Sequence, residues 1–257
     1  MDLAQVISGF AVGAIVGITG VGGGSLMTPL LVLLFGIAPT TAVGTDLLYA
    51  AITKSGGTLV HARRGNVDWR IVGLLAAGSL PAAALTLASH FAPHGLGGTS
   101  KLITVSLGVA MLLTAFALVL RRRLLAWSQS HGLDALPPRR RARLTVATGA
   151  VLGALVSLSS VGAGALGVTA LFFLYPKLPA RRIVGADLAH AVPLTLAAGL
   201  GHWWLGSIDW TLLGTLLAGS LPGIFVGSHF ASRIPDRVLR PTLAGMLILV
   251  AGKLIAA

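Results

Sequence analysis

Apolar runs separated by short polar or glycine-rich breaks divide the chain into two successive sets of five segments. The first set covers residues 4–19, 24–36, 41–60, 69–91 and 100–121; the second covers 143–158, 163–175, 182–205, 210–231 and 237–256. A helix needs roughly 20 apolar residues to cross the hydrocarbon core of a bilayer. The third, fourth and fifth segments of each set meet that length, and the first two do not. Each short pair is therefore predicted to form a helical hairpin that dips into the membrane and returns. Irregular backbone at its tip is tolerated only where protein or water covers it. A competing count makes every short segment a full crossing; it also gives odd-numbered halves and the same loop orientations.

The two sets are copies of one another. At a shift of 141, Gly44, Asp46, Leu47, His61, Gly65, Asp68, Trp69, Gly73 and Gly78-Ser79-Leu80-Pro81 meet Gly185, Asp187, Leu188, His202, Gly206, Asp209, Trp210, Gly214 and Gly219-Ser220-Leu221-Pro222. Upstream the shift is 140, so that Val21-Gly22-Gly23-Gly24 faces Val161-Gly162-Ala163-Gly164, and Pro39 faces Pro179. A period this long marks a duplicated half rather than a solenoid repeat. In an apolar chain it points to a transporter with its site between the halves.

Composition agrees. Of 257 residues, 55% are hydrophobic and only 10% charged, with a mean hydropathy of +0.89. Soluble domains carry about 25% charged residues, so most of this surface must face lipid. The net charge of +12 does not indicate nucleic acid, because the arginines sit in short loops between apolar spans, where they set orientation. Seven of them, Arg121, Arg122, Arg123, Arg139, Arg140, Arg141 and Arg143, flank the central stretch and place it in the cytoplasm. Counting spans from there puts Arg63, Arg64, Arg70, Lys177, Arg181, Arg182, Arg233, Arg237 and Arg240 inside as well. The halves then run in opposite directions. The organisation expected is a first transmembrane repeat over 1–123, a basic cytoplasmic linker over 124–142 and a second repeat over 143–257. The amino terminus lacks a basic region and a cleavage site, and reads as the start of the first helix. The absence of cysteine excludes disulfides and thiolate chemistry. Prolines 81 and 222 should kink the fourth helices, with Ser79 and Ser220 available to satisfy the freed carbonyls.

The candidate chemistry begins at the hairpin tips, Thr19-Gly20-Val21-Gly22-Gly23-Gly24-Ser25 and Ser159-Ser160-Val161-Gly162-Ala163-Gly164. Glycine-rich backbone leading into a helix start offers open amides to an anion, aided by the helix dipole. The same glycines could instead serve close helix crossing. Within the spans, ionisable groups are costly in lipid and point to function. Lys54, whose repeat partner is Thr195, could meet an anionic substrate or a carboxylate such as Asp46. Asp46 and Asp187 lie near the starts of their helices, suited either to helix stabilisation or to moving a proton or ion. His190 follows Asp187 by one turn, as a proton-linked pair or as a satisfied polar contact. His61 and His202 are titratable, or simply bonded to nearby loops. Asp68-Trp69 and Asp209-Trp210 read as helix caps with interfacial tryptophans. No nucleotide, hydrolase or metalloprotease motif occurs, so no enzyme activity, cofactor or metal site is expected.

Gly17-x-x-Gly20-Val21-Gly22-Gly23-Gly24-Ser25-x-x-x-Pro29, Ala42-Val43-Gly44-Thr45-Asp46, Gly65-x-Val67-Asp68-Trp69 and Gly78-x-x-Pro81 together resemble the TauE/SafE-type sulfite/organosulfonate exporter family. The resemblance extends through both halves, although Ala163, Ala165 and Val168-Thr169 replace Gly23, Ser25 and Thr28-Pro29 in the second. It implies a multi-pass permease of the bacterial inner membrane that exports small sulfur-containing anions such as sulfite or organosulfonates.

The fold expected is an all-α polytopic membrane protein of two inverted repeats, each a short Gly-tipped helical hairpin plus three transmembrane helices. The substrate-binding residues expected are Thr19, Gly22, Gly23, Gly24, Ser25, Thr28, Lys54, Gly162, Ala163 and Gly164; ion or proton coupling is assigned to Asp46, Asp187 and His190. Expected partners are the small anion and the lipid bilayer, without nucleic acid, and homo-oligomers stay open. The other class left open is a cation- or proton-coupled transporter of another small solute, built on Asp46 and Asp187.

Overall fold

The computed structural model describes residues 3–19, 27–91, 136–162 and 164–230, with a few helical positions within 105–119 and 245–252. Its elements, in chain order, are α1 (Leu3–Thr19), α2 (Met27–Leu34), α3 (Pro39–Arg63), α4 (Trp69–Phe91), α5 (Pro138–Ser159), α6 (Ala165–Leu174), α7 (Ala180–Trp204) and α8 (Trp210–Phe230). No strand occurs among the described residues. Helix boundaries follow local chemistry. Pro39 opens α3 at the position where a missing N–H costs nothing, and Pro138 does the same for α5. Both α3 and α7 end in a glycine with positive φ, Gly65 (66°) and Gly206 (69°). There the Asn66 N–H returns to the His61 carbonyl at 2.9 Å, and Ser207 returns to His202 at 2.9 Å, which satisfies carbonyls left open by the helix end. As expected, Asp68 Oδ1 accepts from Ile71 N at 3.4 Å and Asp209 Oδ1 from Leu212 N at 2.9 Å, capping α4 and α8.

Among the described residues, four helices, α4, α5, α7 and α8, are long and apolar enough to cross a bilayer. The second segments form short helices, as the pattern predicts, at 8 residues in α2 and 10 in α6. The first segments differ: α1 has 17 residues, whereas α5 has 22 and reaches the crossing length that the apolar pattern denied it, because its first turn recruits Pro138-Arg139-Arg140-Arg141 ahead of the apolar run. Helix α3 has 25 residues but stands outside the apolar four. Every residue from Ala42 to Ala51 is buried, so α3 runs through protein and can carry Asp46 and Lys54 where a lipid-facing helix could not. The fifth segment of each half lies almost wholly outside the described residues.

Packing between the halves is reciprocal. Gly13 of α1 has no room for a Cβ against the backbone of Ser220 in α8, and Gly153 of α5 is pressed in the same way onto Ser79 of α4. These are equivalent positions in the two copies. Gly9 on Leu216 is matched by Gly149 on Leu75, and Gly219 on Val6 by Gly78 on Val146. Helix α3 crosses α7, with Gly44 against the carbonyl of Ser207 and Gly185 against that of Asn66. Backbones approach this closely because no side chain intervenes, which is how helices associate where water supplies no hydrophobic drive. Leu47, Leu194, Val43 and Ala198 fill one core cluster beside this crossing, and Met27, Leu31, Tyr49 and Leu212 belong to another. Outward, Leu85 is 70% exposed and Phe225 79%, the surface of a protein solvated by lipid. Trp203 and Trp210 meet edge to face at 5.9 Å between centroids and remain exposed beside the α7–α8 turn, in keeping with an interfacial belt.

Both prolines stay inside continuous helices. The serines beside them do not take the role expected: Ser79 Oγ meets His190 Nε2 of α7 at 2.8 Å, and Ser220 Oγ makes no hydrogen bond among the described residues. Cross-helix burial offered Ser79 a side-chain partner better placed than a carbonyl of its own helix.

Candidate functional site

At the α3–α7 crossing the helices bring Asp46, Lys54, Asp187 and His190 into one buried region, none more than 3% exposed. Lys54 lies within electrostatic reach of Asp187, Asp46 and His190. The lysine thus serves carboxylates from both halves, where the sequence offered an anionic substrate or a carboxylate such as Asp46. Two carboxylates face one ammonium, and every charge here has been taken out of water. Such an arrangement is tolerable only where the charges compensate one another.

The carboxylates lie a full turn or more beyond the starts of their own helices, too deep to cap them. Each instead stands over the first turn of a short helix. Asp46 Oδ2 accepts from Thr28 Oγ1 at 2.5 Å, at the second residue of α2. Asp187 Oδ1 abuts Gly167, the third residue of α6, so closely that a Cβ there would strike it. The positive end of a helix dipole therefore meets an acidic side chain in each half. One oxygen of each, Asp46 Oδ1 and Asp187 Oδ1, is buried without a hydrogen-bond partner among the described residues.

The second-half tip connects α5 to α6 through Ser160 (φ 56°), Val161, Gly162 (φ 113°) and Gly164 (φ 133°). The dihedrals of Gly162 and Gly164 are ones that L side chains rarely adopt, and this explains glycine at both positions. Part of the backbone around the tip is engaged: Val161 N–H donates to Ser159 Oγ at 3.2 Å, and Leu166 and Gly167 donate to the Gly162 carbonyl at 3.2 and 3.3 Å. Ser160, 1% exposed, lies near Asp46, and its Oγ closes no hydrogen bond among the described residues. The second tip thereby approaches the first-half carboxylate. Gly22, Gly23, Gly24, Ser25 and Ala163 lie outside the described residues, as does the side chain of Thr19. Thr28 is described, fully buried and committed to Asp46.

His190 bonds Ser79 and not the neighbouring Asp187 that the sequence offered; its Nδ1 has no hydrogen-bond partner among the described residues. At the equivalent place in the other half, the Tyr49 hydroxyl faces Ser220 without closing a hydrogen bond. Tyr49 was not singled out from sequence. Its only signal was that it stands at the position equivalent to His190. His202 is buried with Nε2 at 2.9 Å from the Ser157 carbonyl and its ring packed on Gly44, while half-buried His61 packs on Gly185. Both are structural contacts beside the crossing.

The sequence matches the family described as "Sulfite exporter TauE/SafE" over residues 5–254. The chain belongs to the TauE/SafE family. Similar proteins include the Bacillus subtilis "Probable membrane transporter protein YjnA", 38% identical over 99% of this chain and 100% of that protein. A second from the same organism, YdhB, is 31% identical over 93% of this chain and 97% of its own length. "Probable membrane transporter protein MJ0441" of Methanocaldococcus jannaschii is 25% identical over 94% of this chain and 91% of its own. No solved structure matches. This TauE/SafE protein is thus a helical membrane transporter with a small-molecule substrate.

Proposed function

We propose that the protein exports small sulfur-containing anions, of the sulfite or organosulfonate class, across a bacterial inner membrane. The observation that carries this reading is the buried set Asp46, Lys54 and Asp187, which lies where two short helix starts face the α3–α7 crossing. In the resting arrangement the carboxylates answer the positive ends of α2 and α6. An incoming oxyanion competes for those ends, together with Lys54, the hydroxyls of Thr19, Ser25 and Thr28, and the amides of Gly22–Gly24 and Gly162–Gly164. Competition of this kind links substrate to protons: a carboxylate displaced from its helix end is best tolerated once protonated. Asp46, Asp187 and His190 are then the coupling groups. The two halves are inverted repeats in this reading, and the reciprocal glycine contacts support a two-fold relation between them. Transport proceeds as one half rocks against the other. The sulfite-exporter description of the family supports the substrate class.

The test is sulfite flux in proteoliposomes. Lys54→Ala should reduce it by about a hundredfold, the loss expected when a buried pair is broken at about 3 kcal/mol. Wild-type flux from that variant removes Lys54 from the site. The second reading, a cation- or proton-coupled carrier of another solute, draws on the excess of carboxylates over ammonium and on their two unpartnered oxygens. Sodium-dependent stabilisation of the purified protein, with none from sulfite, would favour it.

A further inference from the structure

Away from the crossing, the start of α4, the start of α5 and the α6–α7 turn enclose a cavity of about 300 Å³ lined by Arg70, Arg141, Lys177, Tyr175 and Asp68. One water molecule occupies about 30 Å³ of liquid, so the space holds a hydrated tetrahedral or pyramidal oxyanion. Its acidic group is already engaged: Asp68 Oδ2 accepts from Arg182 Nη2 at 3.3 Å while Oδ1 caps α4. Its aromatic wall is fixed, with the Tyr175 hydroxyl 2.9 Å from Thr145 Oγ1 and the Arg141 guanidinium 5.6 Å above the ring. Three cations thus converge on a shaped opening whose one carboxylate is compensated.

The duplicated half provides the control. Tyr175 and Lys177 correspond to Phe35 and Ile37, and Arg70 corresponds to Thr211, while the carboxylate is kept as Asp209. The cap is therefore common to both halves, whereas Arg70 and Lys177 have uncharged counterparts. A topological bias towards basic loops accounts for the side on which these residues lie. It does not account for their convergence on a cavity with a braced tyrosine.

We propose that this pocket is a one-sided oxyanion site at the basic mouth of the transporter, which concentrates the anion before it reaches the α3–α7 crossing. The inference deepens the exporter reading and rests on it for the identity of the cargo; the site itself is tested without transport. A free sulfur oxyanion and the phosphate of an anionic lipid headgroup present the same chemistry to the pocket.

The probe is radiolabelled sulfate, bound at equilibrium to the purified protein in neutral detergent at low salt. Arg70→Ser combined with Lys177→Ser should weaken binding about tenfold with an unchanged melting temperature, since both side chains are exposed. Raising the salt should erase the difference between variant and wild type. Sulfate binding that is absent in wild type, or identical in the double variant, overturns the site. Adding phosphatidylglycerol separates the sources: displacement of sulfate assigns the pocket to a lipid headgroup, and continued binding assigns it to the free anion. If wild type carries no sulfite yet binds sulfate in a manner that needs Arg70 and Lys177, the exporter reading fails and the pocket stands.

Discussion

Asp46 and Asp187 occupy equivalent places in the two halves, each above the first turn of a short helix, yet their surroundings have diverged. Asp46 takes a hydrogen bond from Thr28, whose counterpart is Val168; the equivalent of Lys54 is Thr195, whose hydroxyl donates to the Ala191 and Val192 carbonyls of its own helix. Ser79 meets a histidine where Ser220 faces a tyrosine. The glycine pairs Gly9 and Gly149, Gly13 and Gly153, Gly78 and Gly219, and Gly44 and Gly185 have been kept, whereas Gly223 and Gly227, equally tight on Phe10 and Ala14, correspond to Ala82 and Thr86. Duplication preserved the centre of the frame, because steric exclusion at those closest crossings leaves little substitute for hydrogen. The polar groups inside the frame were free to specialise, and a single lysine now serves both carboxylates.

The largest effect should come from the frame. Gly13→Val and Gly153→Val each drive a branched side chain into the backbone of a serine in the opposite half. Overpacking costs roughly 1–3 kcal/mol, and more where backbone itself must move. Both variants should lose monodisperse protein in detergent to the same degree, whereas Gly214→Ala, with open space around it, should behave as wild type. Tolerance of one and not the other would end the equivalence of the two crossings.

Next comes the asymmetry. Lys54→Met should lower stability by about 3–5 kcal/mol, because two buried carboxylates lose their common counter-charge. Thr195→Val at the equivalent position should cost no more than about 1.5 kcal/mol, the worth of an ordinary hydrogen bond. Thermal unfolding of the two purified variants measures the contrast, and equal losses would mean that the lysine holds no special place. The smallest effects belong to the caps. Asp209→Ala and Asp68→Ala should each cost about 1 kcal/mol. The extra Asp68–Arg182 pair, half open to water, should add less than about 1 kcal/mol by double-mutant cycle.

Much of this was legible in the chain before any coordinates. The apolar runs and glycine stops located the helices, and the repeat shift picked out Gly44, Asp46, Gly65, Asp68 and their partners as positions of one kind. Lys54 stood out because charge inside an apolar run is costly. Its partners were less legible: sequence offered the nearby Asp46 as an example, and Asp187 joins it from a helix more than a hundred residues away. The same distance hid the Ser79–His190 contact, for which local reasoning supplied a backbone carbonyl and a neighbouring aspartate instead. Tyr49 passed unnoticed because a tyrosine in an apolar segment looks like core packing until its hydroxyl is seen facing Ser220.

The sequence by itself determined the membrane setting, the duplication, the places of the described helices and the identity of the groups too polar to be buried without cause. Those properties are local or periodic, and burial free energy and backbone geometry act on each segment as it stands. Only the tertiary structure decided which groups meet, since α1 pairs with α8, α5 with α4 and α3 with α7 across the two halves. Such pairing depends on how glycine surfaces interlock in three dimensions. That interlocking carries Asp46 and Asp187 off their own helix starts and onto those of α2 and α6.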